Sequence, residues 1–326
     1  MSLMDKKTKI LITGGQGRIG KELGSYLAEQ GFSEVHALAG TKEGIDLGED
    51  ATVAWAFDLN PEVVVHLATR LPSKENCLDY PAGMMYENIF VTTKILEEAR
   101  RSGCKKFIMA WDSSCYPERQ ILPYKEKDLW EGSPYWNKRY YGNAAKVMME
   151  LNMAFSTQFE DFIGINLIFP EVYGPRSRFN PRRNFIIENV ISNIALAHKE
   201  GEGLKIEATN KSSRDFIYID DAVKAIYHAI EYSEVSNTYN ASQGSDISIR
   251  SLHAKVAEIM GYQGKVDWIE TDLDTKERTF LDISLIKKEL GWVPRVDMQE
   301  GLERTIQWHN ENLMPNYVSE DSILVR

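Results

Sequence analysis

Cysteine is scarce in this chain: Cys77, Cys104 and Cys115 are the only three among 326 residues. The number is odd and no pair has CxxC spacing. A disulfide framework and a zinc site are therefore not expected, no metal is called for, and a reducing cytosol suits the chain. Long apolar runs are also missing. No stretch offers the roughly 20 continuous apolar residues of a membrane span, and the N-terminus has no signal-peptide run. Met1-Ser2-Leu3-Met4, with its doubled methionine, reads as a leader outside the fold. Positive charge is short as well, with 38 Lys and Arg against 48 Asp and Glu and a formal net charge of −10. That balance argues against DNA, RNA or an anionic membrane as partner. A small anionic ligand would need local Arg, Lys and backbone N–H groups to hold it.

What is present is a chain able to bury a sizeable core, 43 % apolar, and long enough for two lobes or one large α/β unit. Lys9 to Thr13 is a short apolar run that stops at glycines and reads as a buried parallel strand. Helical pattern covers Ile19 to Gln30, Thr52 to Phe57, Asn88 to Arg101 and Tyr141 to Phe159. Strand pattern covers Val35 to Leu38, Val63 to Leu67, Lys106 to Ala110 and Phe162 to Phe169. Alternation of this kind predicts a doubly wound parallel sheet of Rossmann type, with helices on both faces. The rhythm breaks near Pro170, where Pro, Arg and Asn crowd residues 170–184. A helix over Ile186 to His198 and irregular pieces follow. The expected division is a dinucleotide-binding domain over 1–170 and a smaller substrate-binding lobe over 171–326, with some of its segments returning to the first domain.

The turn Thr13-Gly14-Gly15-Gln16-Gly17-Arg18-Ile19-Gly20 lies between the first strand and the first helix. A turn this tight needs residues without a Cβ. A dinucleotide pyrophosphate must also approach the backbone closely, where the helix N-terminus offers unpaired N–H groups and a positive dipole end. Gly14, Gly17 and Gly20 are spaced for those roles, with Arg18 and Ile19 opening the helix. An acidic residue ending the second strand would select NAD. Here Val35 to Lys42 has no carboxylate, and Thr41 and Lys42 could hold a 2′-phosphate. NAD or NADP is expected, with the lean toward NADP.

This turn, with Val65-His66-Leu67-Ala68-Thr69, Val172-Tyr173-Gly174-Pro175-Arg176 and Arg214-Asp215-Phe216-Ile217-Tyr218-Ile219-Asp220-Asp221, resembles the extended short-chain dehydrogenase/reductase family, in particular its nucleotide-sugar epimerases and dehydratases. Leu281-Asp282-Ile283-Ser284 and Glu289-Leu290-Gly291-Trp292 are similar to that family too. The resemblance implies that Asp46 and Leu47 touch the adenine and that Leu67, Ala68 and Thr69 line the cofactor cleft. It also implies that Arg214, with Arg278, binds a substrate diphosphate. A guanidinium fork can hold phosphate oxygens bidentately; the alternative for Arg214 is an ion pair with Asp215 or Asp220. Arg176, Arg178, Arg182 and Arg183 add local positive charge. A homodimer through the helices near 88–101 and 141–158 is implied, with Met148, Met149, Leu151 and Met153 as apolar surface.

In that family a Ser or Thr, a Tyr and a Lys move the proton while hydride passes to or from the nicotinamide. Tyr and Lys stand four apart on one helix face. This chain departs. Four before Lys146 is Gly142, and Tyr141 is five before it, about 140° off the face of an ideal helix. A helix beginning after Tyr141, or a π-bulge, would restore the geometry; otherwise the tyrosine is lost and the activity altered. Tyr141 is expected as acid/base, and Lys146 as its partner and a cofactor-ribose ligand. Trp111-Asp112-Ser113-Ser114-Cys115-Tyr116-Pro117 is similar to a segment of the GDP-L-fucose synthases, one residue shorter. By that resemblance Ser113 assists the keto oxygen and Cys115 carries a proton in epimerisation. The histidine used there falls at Phe185. No acid pair follows the serines, which disfavours dehydration. Three functions remain open: a nucleotide-sugar epimerase, a fucose-synthase-like epimerase-reductase consuming NADPH, and a non-catalytic dinucleotide-binding sensor.

Overall fold

The computed structural model describes residues 4–40, 44–70, 79–118, 121–177, 179, 185–201, 203–207, 212–270 and 278–313. Its centre is a six-stranded parallel sheet of order β2-β1-β3-β4-β5-β9. The strands are β1 (Ile10–Thr13), β2 (Val35–Ala37), β3 (Val63–His66), β4 (Lys106–Asp112), β5 (Ile163–Phe169) and β9 (Asn237–Asn240). Every residue of β1 and β3 is buried, as expected for strands covered on both faces. Successive side chains go to opposite sides. Leu11 and Val64 join one core cluster, while Ile10, Ile12, Val63 and Val65 join another. The first cluster lies under α2 (Asp50–Phe57), α3 (Pro81–Arg101) and α4 (Arg139–Gln158). The second lies under α1 (Arg18–Glu29) and a later helix, α6 (Ile219–Tyr232). Each fully buried Val, Leu or Ile on these faces contributes about 1.5–3 kcal/mol.

Beyond β5 the chain builds a third core. It comprises β6 (Glu171–Tyr173), α5 (Ile186–Glu200), β7 (Leu204–Glu207), β8 (Ser213–Tyr218), β10 (Asp246–Ser248), α7 (Ile249–Ile259), β11 (Val266–Ile269) and β12 (Arg278–Thr279). β8 is the hub: β10 pairs with it antiparallel, β6 and β12 parallel. α8 (Ser284–Leu290) and α9 (Met298–Asn312) close the described chain.

Two expectations need correction. The third helix begins at Pro81, not Asn88. Proline fits there because a first-turn N–H has no helical partner. The stretch after residue 198 is not irregular. It holds strands of two to six residues and further helices, and β9 returns to pair with β5 while α6 packs on α1. Strands this short carry too few alternations to be read from sequence.

Candidate active site

The strand order reverses between β1 and β3, since β2 lies to one side of β1 and β3 to the other. Ligands of open α/β sheets bind beyond the strand C-termini at such a point. The glycine turn follows β1 and the Leu67–Thr69 turn follows β3, so both stand there. Gly14 has φ +70°, and a Cβ on it would come within 2.8 Å of the Ala68 nitrogen and the Leu67 carbonyl carbon. A Cβ on Gly20 would lie 2.5 Å from the Gly14 oxygen. Only glycine allows this approach. Gly17 is the N-cap of α1, with no side-chain cap and no acid in the first turn. The first N–H groups of α1 are thus left to an anion, which fits a dinucleotide pyrophosphate. The turns are tied by Leu67 N–H to the Thr13 carbonyl at 3.1 Å and Thr69 N–H to the Leu67 carbonyl at 3.0 Å. Beneath them His66 bridges the hydroxyls of Thr13 at 2.8 Å and Thr92 at 3.1 Å; burial pushes its pKa down to about 4.

Other cofactor candidates are placed as follows. Ile19 is half-buried beside Gly20. Leu47 is buried in the core with Leu38 and Val53. Asp46 accepts the Gly48 N–H at 2.8 Å. Arg18 does not hang free: it donates to the Glu188 carboxylate at 3.2 Å and to the Val172 carbonyl, tying the glycine turn to α5 and β6. Thr41 and Lys42 lie outside the described residues, as do Cys77, Arg178, Arg182 and Arg183.

Neither repair of the tyrosine spacing is used. α4 is a regular α-helix from Arg139, with Tyr141 in its first turn. Tyr141 is buried, and its ring meets Trp111 edge-on at 5.9 Å. The residue four on is Ala145, in the same core cluster. Lys146 is one position further round, about 100° away. It sends Nζ to the Gly132 carbonyl at 2.7 Å and lies 5.5 Å from the Trp130 ring centroid, beside Met149 and Glu150. Burial lowers its pKa, partly offset by neighbouring Cys115.

The 3₁₀ turn Ser113–Cys115 packs on the start of α4: a Cβ on Gly142 would lie 2.7 Å from the Ser114 oxygen. Asp112 caps the turn by accepting the Ser114 N–H at 2.8 Å. Ser113 is half-buried and Cys115 fully buried. The structure thus brings the serine turn to the start of the tyrosine helix, and it groups Cys115 with Lys146. Tyr140 is exposed.

On the second sheet, Arg214 donates to the Ser213 carbonyl at 2.7 Å. Burial lowers its pKa, and Glu171, Tyr124 and Tyr135 oppose that shift. The aspartates weighed as its partners are used elsewhere. Asp215 accepts the Leu281 N–H at 3.1 Å, and Asp220 meets Arg304 at 3.3 Å. Asp221 accepts the N–H groups of Arg295 and Val296 at 2.9 and 2.8 Å. Arg278 lies across the register from Ser213 and grips Asp246 with two bonds of 2.7 Å. It is held by a carboxylate, whereas Arg214 is half-buried near Tyr124 and Tyr135.

Sequence reading missed Glu171. Its Oε1 accepts the N–H groups of Ile186 and Ile187, at 2.6 and 3.4 Å, at the N-terminus of α5. Burial and the Glu188 carboxylate push its pKa up to about 8. The available signal was an acid directly after Pro170, at the end of a central strand. Phe185 is the N-cap residue of α5. Among the described residues no cluster of His, Cys, Asp and Glu could hold a metal ion, and no helix is long and apolar enough to cross a membrane.

The model of the NAD dependent epimerase/dehydratase family matches residues 10–242, which include the glycine turn, the serine turn, α4 and Arg214. The chain belongs to this family. A probable GDP-L-fucose synthase 1 of Oryza sativa subsp. japonica is 26 % identical over 315 residues, covering 96 % of this chain and 95 % of the relative. The GDP-L-fucose synthase of Escherichia coli K12 is 24 % identical over 323 residues, covering 94 % and 98 %. Among solved structures, a GDP-D-glycero-L-gluco-heptose synthase of Campylobacter jejuni, determined with NADPH, superposes with a TM-score of 0.85 at 22 % identity, covering 94 % of this chain and 99 % of that one. These structural likenesses establish the α/β fold with its parallel six-stranded sheet.

Proposed function

We propose that this chain is an NAD(P)H-dependent enzyme of nucleotide-sugar metabolism that reduces the keto group of a guanosine-diphosphate sugar. One observation carries the reading. The glycine cradle lies beyond the C-terminal ends of the parallel sheet, and the half-buried Arg214 lies on β8, which pairs with β6 directly after β5 leaves that sheet, so a dinucleotide and a second diphosphate can meet there. The GDP-L-fucose synthases among the relatives support a guanine base, and related structures determined with NADP or NADPH support the lean to NADP. Bound cofactor would supply the hydride. Gly14, Gly17 and Gly20 would admit its pyrophosphate against the backbone, with Leu67, Ala68 and Thr69 along the cleft.

The remaining chemistry falls to the chain's side chains. Tyr141 gives the proton to the carbonyl oxygen, and Ser113 hydrogen-bonds the same oxygen. Arg214 holds the diphosphate. Lys146 supports the loop before α4 through its bond to the Gly132 carbonyl, and that support, rather than a contact with the cofactor ribose, is the role assigned to it. Phe185 offers no acid where the fucose-synthase resemblance needs a histidine, which disfavours epimerisation by proton transfer. Reduction is preferred to hydride-returning epimerisation on the relatives, which include GDP-sugar synthases and a reductase. Cys115 remains the candidate proton carrier if an epimerisation step precedes reduction.

The chain is expected to work as a cytosolic homodimer through α3 and α4. Met148 and Met149 are buried and do not supply that surface, while Leu151 and Met153 are half-buried. Tyr86 (stacked on Phe90), Tyr140 and Val147 are exposed large apolar groups on these helices. Sedimentation showing a monomer at micromolar concentration would contradict the dimer.

The deciding experiment supplies GDP-4-keto-6-deoxymannose with NADPH and follows both absorbance and product. One NADPH oxidised per product supports the reductase. Isomer without net oxidation makes the chain an epimerase. Tight NADPH binding with no conversion favours the non-catalytic sensor.

A further inference from the structure

The first turn of α1 belongs to both lobes. Gly17, its N-cap, supplies no side chain, so the N–H groups that follow, Arg18's own included, are open to the pyrophosphate. The Arg18 side chain reaches the second lobe, where its guanidinium donates to Glu188 on α5 at 3.2 Å and to the Val172 carbonyl on β6. Glu188 has no exposed surface, and Ser177 donates to the same Oε1. Among the described residues Arg18 is the one cation in ion-pair range of Glu188. A carboxylate buried this deeply is strongly destabilising without its cation, so opening the bridge is unfavourable. One turn further along α1, Glu22 meets Arg176 at 2.9 Å, and Ile19 packs on the core of the second lobe. One face of α1 is therefore docked on that lobe. On α5 the neighbours of Glu188 line a space for a ligand. Ile186, Asn189, Val190 and Asn193 recur at helical spacing and wall a cavity of about 230 Å³, with β7 and α7 on its other sides. The start of this helix is bonded by Glu171, whose charge acts on Arg214.

We propose that Arg18 and Glu188 are positioning residues that couple the two ligands: an occupied glycine turn fixes α5 for the nucleotide sugar, and an occupied α5 face fixes the turn for the dinucleotide. An anion on the turn holds Arg18 by its backbone. With that backbone fixed, the guanidinium stays on Glu188 and the Val172 carbonyl, and Glu188 keeps α5 in place beside the cavity. Order supplied by the first ligand need not be supplied again by the second, so the two bind with positive cooperativity. Linkage makes the effect reciprocal, each ligand raising the affinity of the other by the same factor. Neither residue takes part in proton transfer.

This inference rests on the nucleotide-sugar reading, and its test separates the two. GDP-mannose is the probe, since it has no keto group for NADPH to reduce. Calorimetric titration measures each ligand alone and with the other saturating. In the wild type each should tighten the other about tenfold. Glu188→Gln should bring that factor close to one. So should Glu188→Gln combined with Arg18→Met, which leaves no buried charge unpaired. Weaker binding of both ligands with the factor unchanged would make the bridge structural and overturns this proposal alone, as does a wild type that binds the two ligands independently. Hydrogen exchange on the wild type reads the same link without any variant. NADPH alone should slow the amides of α5 from Asn189 to Ile194, and unchanged exchange there overturns the proposal. Failure of the wild type to bind GDP-mannose, with or without NADPH, overturns the nucleotide-sugar reading and this proposal with it.

Discussion

The glycine turn and the first two turns of α4 are both parts of the candidate site, and they treat the family pattern in opposite ways. In the turn Gly14, Gly15 and Gly20 stand where there is no room for a Cβ, at 2.8, 2.6 and 2.5 Å from the nearest atoms. At the start of α4 the tyrosine is present, but the position four on is Ala145 and the lysine is turned to Gly132. A cradle works through backbone shape and tolerates no change. A proton-transfer helix works through side chains on one face, and a single step in spacing hands a role to a different group. The difference teaches that cofactor binding and the assignment of catalytic groups are separate inferences, even in a chain whose family is clear.

The largest expected effect breaks the cradle side. Gly20→Val puts side-chain carbon against the Gly14 carbonyl, at a cost of about 1–3 kcal/mol in overpacking, with the pyrophosphate position distorted. NADPH binding, read by fluorescence titration, should be lost. Retained binding would show that the turn is not the cradle. On the helix side, Tyr141→Phe should lower turnover by about 10²–10⁴-fold with NADPH affinity unchanged, because only a proton-transfer group is removed. Tyr140→Phe should change little, since Tyr140 lies on the exposed side.

Arg214→Ala should weaken GDP-mannose binding by about 2–4 kcal/mol, as expected when one partner of a buried charged contact is truncated. NADPH binding should hold. Equal losses for both ligands would make Arg214 structural.

His66 sharpens the comparison from beneath the cradle. Its folded pKa of about 4 lies below the ordinary 6.5. The unfolded chain therefore takes up this proton first. The stability from neutral His66 is full above about pH 6.5 and is lost as pH falls toward 4, by about 3 kcal/mol. Thermal melts at pH 7 and pH 4.5 should show this loss, and His66→Gln should flatten it.

Much of the central sheet was legible from sequence because buried parallel strands are short apolar runs punctuated by glycine. Thr13 to Gly20 and Val63 to Leu67 show this plainly. The second lobe was not, because β10, β11 and β12 gain their identity from pairing with distant strands and not from local periodicity. The site was legible where one residue type has one use. Gly14 could be read from its neighbours. The occupation of Lys146 by Gly132, of Arg278 by Asp246 and of Arg18 by Glu188 could not, since a long cation can reach several partners and the sequence does not say which. Glu171 was passed over because a glutamate after a strand ordinarily reads as surface.

Lys146→Met gives the smallest expected effect and the most direct test. Losing a buried bond to the Gly132 carbonyl should cost about 1–3 kcal/mol of stability, seen as a lower melting temperature. The measurement that decides is the steady rate of NADPH oxidation with GDP-4-keto-6-deoxymannose, at a temperature where both proteins are folded. A Lys146→Met rate within a few-fold of wild type is the predicted result. A loss as large as that of Tyr141→Phe, with NADPH affinity falling alongside it, would contradict the assignment of the lysine to the loop.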